Sequence, residues 1–176
     1  MEQHRYQRAD MPTLRGDPPS SATAAAGSLY TPEQRRRRDQ SRWTLVQGVL
    51  APLQFLVFAI SLWLVLRFLV TGAGEDAATI SIIAKTGILY LIMITGSIWE
   101  KVVFGEWLFA KPFFWEDVVS MLVLALHTAY LIALANDWGT PAEQMMIALA
   151  AYASYAINAT QFLLKLRAAR LQGAAA

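Results

Sequence analysis

The residues able to do chemistry gather in one stretch. It reads Ser97-Ile98-Trp99-Glu100-Lys101, passes through Glu106-Trp107 and Lys111, and closes on Phe113-Phe114-Trp115-Glu116-Asp117. Carboxyl groups alternate there with aromatic rings. Two carboxyls in unlike surroundings divide the roles of acid and base between them. A carboxylic acid set among apolar groups keeps its proton near neutrality and can donate it. Glu100, Glu116 and Asp117 are therefore the candidate acid–base groups. Glu116 and Asp117 are neighbours, so on a helix they point about 100° apart and at most one faces a given pocket. A plainer reading competes for part of this stretch. Helix N-termini favour negative charge, which accounts for one of the two. An interfacial aromatic belt accounts for Trp107, Phe109 and Lys111.

His127 is the second anomaly, an imidazole inside the apolar run Leu124-Ala125-Leu126-His127-Thr128. Such a residue is a packing group, a proton carrier or a ligand. It shares a helix face with Glu116, about 16 Å away along the axis, so the two could meet opposite parts of one large ligand without touching each other. The chain has no cysteine and only one other histidine, His4. That excludes disulfides, thiolate zinc sites and iron–sulfur clusters, and leaves no multi-histidine metal site.

The elements that must position these groups are apolar. Of 176 residues 56% are hydrophobic and 16% charged, and residues 1–42 hold 13 of the 28 charged ones. An ordinary soluble enzyme, a nucleic-acid-binding domain and a disordered protein are all poor fits. Segments 43–66, 77–99, 118–136 and 144–164 are each close to the ~20 apolar residues that span a bilayer. None carries the charged outer face of a soluble bundle helix. The sequence thus predicts an all-α integral membrane protein with four transmembrane helices. Residues 1–30 read as a disordered polar tail, 31–171 as the membrane domain and 172–176 as a short C-terminal tail. Thr31-Pro32-Glu33 opens a helix, with Thr as cap and Pro at the first position. Arg35 to Arg38, Arg42, Lys101, Lys111, Lys165, Arg167 and Arg170 fall on one side of the four-helix path, so the positive-inside rule puts both termini and the middle loop in the cytoplasm. Lys85 is the exception, expected to snorkel outward or to pair with Glu75 or Asp76.

Polar residues recur along single helix faces. Gln47, Gln54 and Ser61 repeat every seven positions, with Pro52 between them expected to bend the helix. Thr86, Tyr90, Met93, Ser97 and Glu100 share a face of the second helix. Tyr155, Asn158, Gln161 and Lys165 do so loosely on the fourth. They serve either as interhelical hydrogen bonds or as the lining of a polar pocket.

Five motifs resemble the 3-vinyl bacteriochlorophyllide hydratase family. They are Thr31-Pro32-Glu33-Gln34-Arg35-Arg36-Arg37 running into Trp43-Thr44-Leu45-Val46-Gln47-Gly48, then Ser97-Ile98-Trp99-Glu100-Lys101, Phe113-Phe114-Trp115-Glu116-Asp117, Leu124-Ala125-Leu126-His127-Thr128-Ala129-Tyr130 and Asn158-Ala159-Thr160-Gln161-Phe162-Leu163-Leu164. The resemblance implies a hydro-lyase of the photosynthetic inner membrane of bacteria. It would add water across the vinyl group of a chlorophyllide to give a 1-hydroxyethyl group, which a dehydrogenase then oxidises. No cofactor is implied, because the magnesium belongs to the substrate; His127 is a possible axial ligand to it. Glu100 or Glu116 would be the acid, and Asp117 or His127 would handle the water. Trp99, Lys101, Trp115, Tyr130, Tyr155, Asn158 and Gln161 would contact the macrocycle, and Lys101, Lys111, Lys165 and Arg167 would meet its propionate. Expected partners are the chlorophyllide, the lipid bilayer and neighbouring pathway enzymes, with no nucleic acid and a possible homo-oligomer. The competing functions are a non-catalytic tetrapyrrole carrier or assembly factor and, more weakly, a small channel or transporter.

Overall fold

The computed structural model describes residues 29–174, side chains through Leu171. The expected disordered tail falls largely outside them. Five helices follow one another: α1 Pro32–Gln40, α2 Arg42–Thr71, α3 Glu75–Phe104, α4 Phe114–Ala135 and α5 Pro141–Ala174. No strand occurs among the described residues. Helices α2 to α5 are each long and apolar enough to cross a membrane. Their outward side chains suit lipid: Leu45, Phe55, Trp63, Val70 and Leu163 are all largely exposed.

Local sequence sets the boundaries. At α1, Thr31 Oγ1 accepts from the Gln34 N–H (3.2 Å) while the Thr31 N–H donates to Gln34 Oε1 (2.9 Å). Hydrogen bonds from Arg36 and Arg37 hold the Glu33 carboxyl below the usual carboxylate range. The same arrangement opens α5, where Thr140 and Glu143 bond reciprocally around Pro141. Gly72 (φ 70°) ends α2 and Gly74 (φ 88°) begins α3, so the hairpin turns where only glycine adopts both angles cheaply. Pro52 stays inside a continuous α2. Its missing N–H leaves the Gly48 carbonyl without its helical donor.

The molecule is two antiparallel hairpins, α2/α3 and α4/α5, whose helices pack more closely within each pair than between pairs. In lipid, apolar contact alone drives helix association weakly, so polar links carry specificity. Within the first hairpin Gln47 donates to Thr95 (2.8 Å), and Trp99 Nε1 to Thr44 (2.9 Å). Ser61 bonds both Ser81 on α3 and Tyr152 on α5 (2.6 Å each). Tyr90 meets Thr128 (2.8 Å). Around Ser61, Val65, Ile82, Tyr130, Met145 and Tyr152 form the buried core at the end remote from α1.

Two sequence expectations change here. Tyr30, assigned to the polar tail, is 4% exposed and stacks on Phe104 (5.8 Å), because an aromatic at the helix entry gains more from packing than from solvent. Lys85 neither snorkels nor pairs with Glu75 or Asp76. It is fully buried, 3.0 Å from His127 Nε2, with its ammonium 4.3 Å from the Tyr155 ring centroid. His127 Nδ1 lies 2.8 Å from the Val123 carbonyl, so that nitrogen carries the hydrogen and Nε2 accepts from Lys85. This link ties α3 to α4. Removing the acceptor leaves a buried amine unpartnered, so His127→Ala should cost about 1–3 kcal/mol. Lys85→Met, which removes the amine and keeps the length, should cost less or stabilise. Unfolding of both variants in detergent micelles measures the difference.

Candidate active site

Where the two hairpins separate, at the α1 end, they leave a cavity of about 920 Å³. That is near the upper end of the usual ~300–1,000 Å³ for small-molecule sites. Its walls are mainly apolar and aromatic, with contributions from Leu89, Ile92, Met93, Phe113, Val123 and Phe162. Arg35, Arg38 and Arg170 are among its lining residues, one set from α1 and one residue from α5. Arg38 also lies over the Tyr30 ring at 4.6 Å.

The polar feature of the wall is a carboxyl pair. Glu100, near the end of α3, and Asp117, in the first turn of α4, are 5% and 4% exposed, and both line the cavity. Their side chains are close enough to interact directly. A hydrogen bond between two carboxyls needs one of them to carry a proton. The connection between α3 and α4 folds back over the pair. The Phe109 N–H donates to Asp117 Oδ2 (2.9 Å), and the next N–H, that of Ala110, donates to Glu100 Oε2 (3.2 Å). Two successive amides reach the same spot because Phe109 takes a left-handed conformation, φ 61°. Beside the pair, Ser120 donates to Asn158 Oδ1 (3.2 Å), and Asn158 Nδ2 donates to the Glu116 carbonyl (2.8 Å). Ser97, Ser120 and Asn158 also line the cavity.

The expected site residues divide cleanly. Glu100, Asp117, Trp99, Tyr155 and Asn158 line the cavity, and the other six do not. Glu116 is buried but turned to Lys165 on α5 (2.5 Å), which also donates to the Pro112 carbonyl. His127 has both ring nitrogens engaged and does not line the cavity. Lys101 caps its own helix by donating to the Gly105 carbonyl (2.8 Å). Trp115 faces outward, 69% exposed. Tyr130 packs in the far core, and Gln161 lies off the cavity. The cations expected for a propionate, Lys101, Lys111, Lys165 and Arg167, do not line it; three arginines do. The sequence reading missed Tyr30 and the Phe109 and Ala110 amides. Backbone donors have no residue type, so only a positive φ at a non-glycine could have signalled them.

A helical bundle of apolar spans with a buried carboxyl pair on an apolar cavity has the means for proton transfer to a large apolar ligand. Residues 30–168 match the family model described as 2-vinyl bacteriochlorophyllide hydratase. A 2-vinyl bacteriochlorophyllide hydratase of Cereibacter sphaeroides is 67% identical over 90% of this chain and 98% of its own length. One of Rhodobacter capsulatus is 64% identical over 89% and 91%. The chain belongs to the 2-vinyl bacteriochlorophyllide hydratase family. This agrees with the sequence resemblance in substituent and reaction and differs only in the number given to the ring position. No solved structure matches the chain.

The strained loop makes a prediction. Phe109→Gly removes the cost of the positive φ and should leave thermal stability equal or higher. Phe109→Val, β-branched at the same angle, should lower it by about 1–3 kcal/mol. Melting curves of both variants test this.

Proposed function

We propose that this chain hydrates the vinyl group of a bacteriochlorophyllide to a 1-hydroxyethyl group in bacteriochlorophyll biosynthesis, with Glu100 and Asp117 as acid and base. The observation that carries the assignment is the Glu100–Asp117 contact on the cavity wall, under the two loop amides. In this reading Asp117, which accepts the shorter of the two loop N–H bonds (2.9 Å against 3.2 Å), is the anion and Glu100 holds the proton.

The steps balance without a cofactor. Glu100 gives its proton to the terminal vinyl carbon, and the π electrons form the new C–H bond. The cation left on the adjacent carbon is delocalised into the macrocycle, and the two carboxyls oppose its charge. Water attacks that carbon, and its proton goes to Asp117. Glu100 is now the anion and Asp117 the acid, so one proton transfer across their contact restores the starting state. The magnesium stays with the substrate and takes no part in these steps. Trp99 and Tyr155 supply ring surface for the macrocycle. Arg35, Arg38 and Arg170 replace the lysines as partners for its propionate.

The proposed setting is the bacterial inner, photosynthetic membrane. The arginines of α1 and the basic end of α5 support a cytoplasmic position for both ends of the helical span. A substrate with an apolar ring and one charged arm would then enter with its carboxylate toward water.

The test is chlorophyllide added to the purified protein in mild detergent, followed by liquid chromatography and mass spectrometry. A product heavier by one water is expected. Glu100→Gln and Asp117→Asn should each slow its formation by about 10²–10⁴-fold while still binding pigment. Glu116→Gln should lose far less. Bound pigment of unchanged mass with the unaltered protein would make it a carrier instead. Arg35→Gln with Arg170→Gln should raise KM for the free acid and leave KM for its methyl ester unmoved, since the ester has no charge to lose.

A further inference from the structure

One polar side chain on the cavity wall has no role in the acid–base chemistry and no partner among the described residues. Gln54, in the middle of α2, is 2% exposed and lines the cavity. Neither its amide nitrogen nor its amide oxygen has a hydrogen-bond partner among the described residues. Gln47, two turns earlier on the same face, shows the contrast: it is anchored to Thr95 at 2.8 Å. A buried amide is nearly always paired, so an orphan aimed into a binding cavity awaits a group the ligand brings.

The depth of Gln54 says which part of the ligand that is. Gln47 is level with Thr95, Gln54 lies seven residues beyond it, and Glu100 lies five residues the other way. The helical rise puts Gln54 about 18 Å along the bundle from the level of Glu100. It is too far to hold the attacking water. Its surroundings at that depth are apolar, with Phe55, Leu89, Val123 and Tyr155 on the cavity wall. A ligand with its reacting vinyl at the carboxyl pair would present its opposite edge to Gln54.

We propose that Gln54 is the specificity-determining residue of the cavity, donating from its amide to a carbonyl group on the edge of the macrocycle opposite the vinyl. This rests on the reading of the cavity as a bacteriochlorophyllide site. A site built to hydrogen-bond one ligand group rejects an analogue lacking it, because the protein group is then left unpaired in apolar surroundings. Only one in-plane orientation brings the ring ketone to Gln54 and the vinyl group to Glu100 together, so the same bond selects the substituent that reacts.

The test compares two pigments on the full chain in detergent: chlorophyllide a, and its analogue with the ring ketone reduced to a methylene. Binding is read from pigment absorption. The unaltered protein should hold the ketone form on the order of tenfold more tightly. Gln54→Leu should bind both pigments alike, at the weaker level. Its thermal unfolding should come at or above that of the unaltered protein, since an unpartnered amide has been removed; a merely structural Gln54 would make it fall. Discrimination retained by Gln54→Leu, or absent from the unaltered protein, overturns the proposal while the hydratase reading stands. Failure of the unaltered protein to bind either pigment overturns the hydratase reading, and this proposal with it.

Discussion

Hydrocarbon gives a polar group no water to bond, and this chain carries polar groups at most levels of its four long helices. Most find a partner on another helix or on their own backbone, and Gln54 is an exception. Gln47 with Thr95, Ser61 with Ser81 and Tyr152, Lys85 with His127, and Tyr90 with Thr128 are the result. Lipid and leucine are about equally apolar, so these links rather than apolar burial select the register of the bundle. Several links crossing between hairpins lie at mid-bundle and toward the Gly72–Gly74 end, beside the buried core. Toward α1 the hairpins meet at Glu100 and Asp117 under the α3–α4 connection, and the cavity opens there.

That opening would be destabilising if the carboxyls lining it were left alone. Glu100 and Asp117 come from different hairpins, and each accepts a backbone N–H from the loop that joins α3 to α4. The loop is thus more than a connection: it closes one end of the cavity and satisfies the acid pair at once. Holding both amides requires Phe109 in a left-handed conformation, the kind of local strain that surrounding structure must enforce. Lys165 completes the arrangement. It pairs with Glu116, so one of the three neighbouring carboxyls is neutralised directly.

Much of the architecture was legible in the sequence. Long apolar segments, the Thr-Pro opening of α1, and the seven-residue recurrence of Gln47, Gln54 and Ser61 all carry direct physical signals. The 100° rule also implied that Glu116 and Asp117 part company. What it could not choose was which of them faces inward, because that depends on where Lys165 arrives from α5. Lys85 was misread for a related reason. A lysine within reach of a helix end normally snorkels, but here His127 from α4 offers an acceptor and three aromatic rings surround the ammonium. Contacts between elements distant in sequence leave no mark in either segment alone. The loop amides were invisible for a simpler reason, since they belong to the backbone.

The two ends of the cavity are chemically unlike, and the difference bears on the reaction. At the loop end stand the carboxyls, able to oppose a positive charge forming on the substrate. At the deep end the wall is Tyr155, and the Lys85 nitrogen lies behind its ring, 4.3 Å from the centroid. That nitrogen donates to His127 and has no carboxylate within ion-pair distance among the described residues. No carboxyl of the described residues lines the deep end, so the cation of the proposed mechanism is best opposed at the loop end, where the proposed acid and base also stand. The two ends of the α3–α4 pairing therefore differ in kind: Lys85 and His127 join the helices deep in the bundle, and Glu100 and Asp117 line the cavity near the loop.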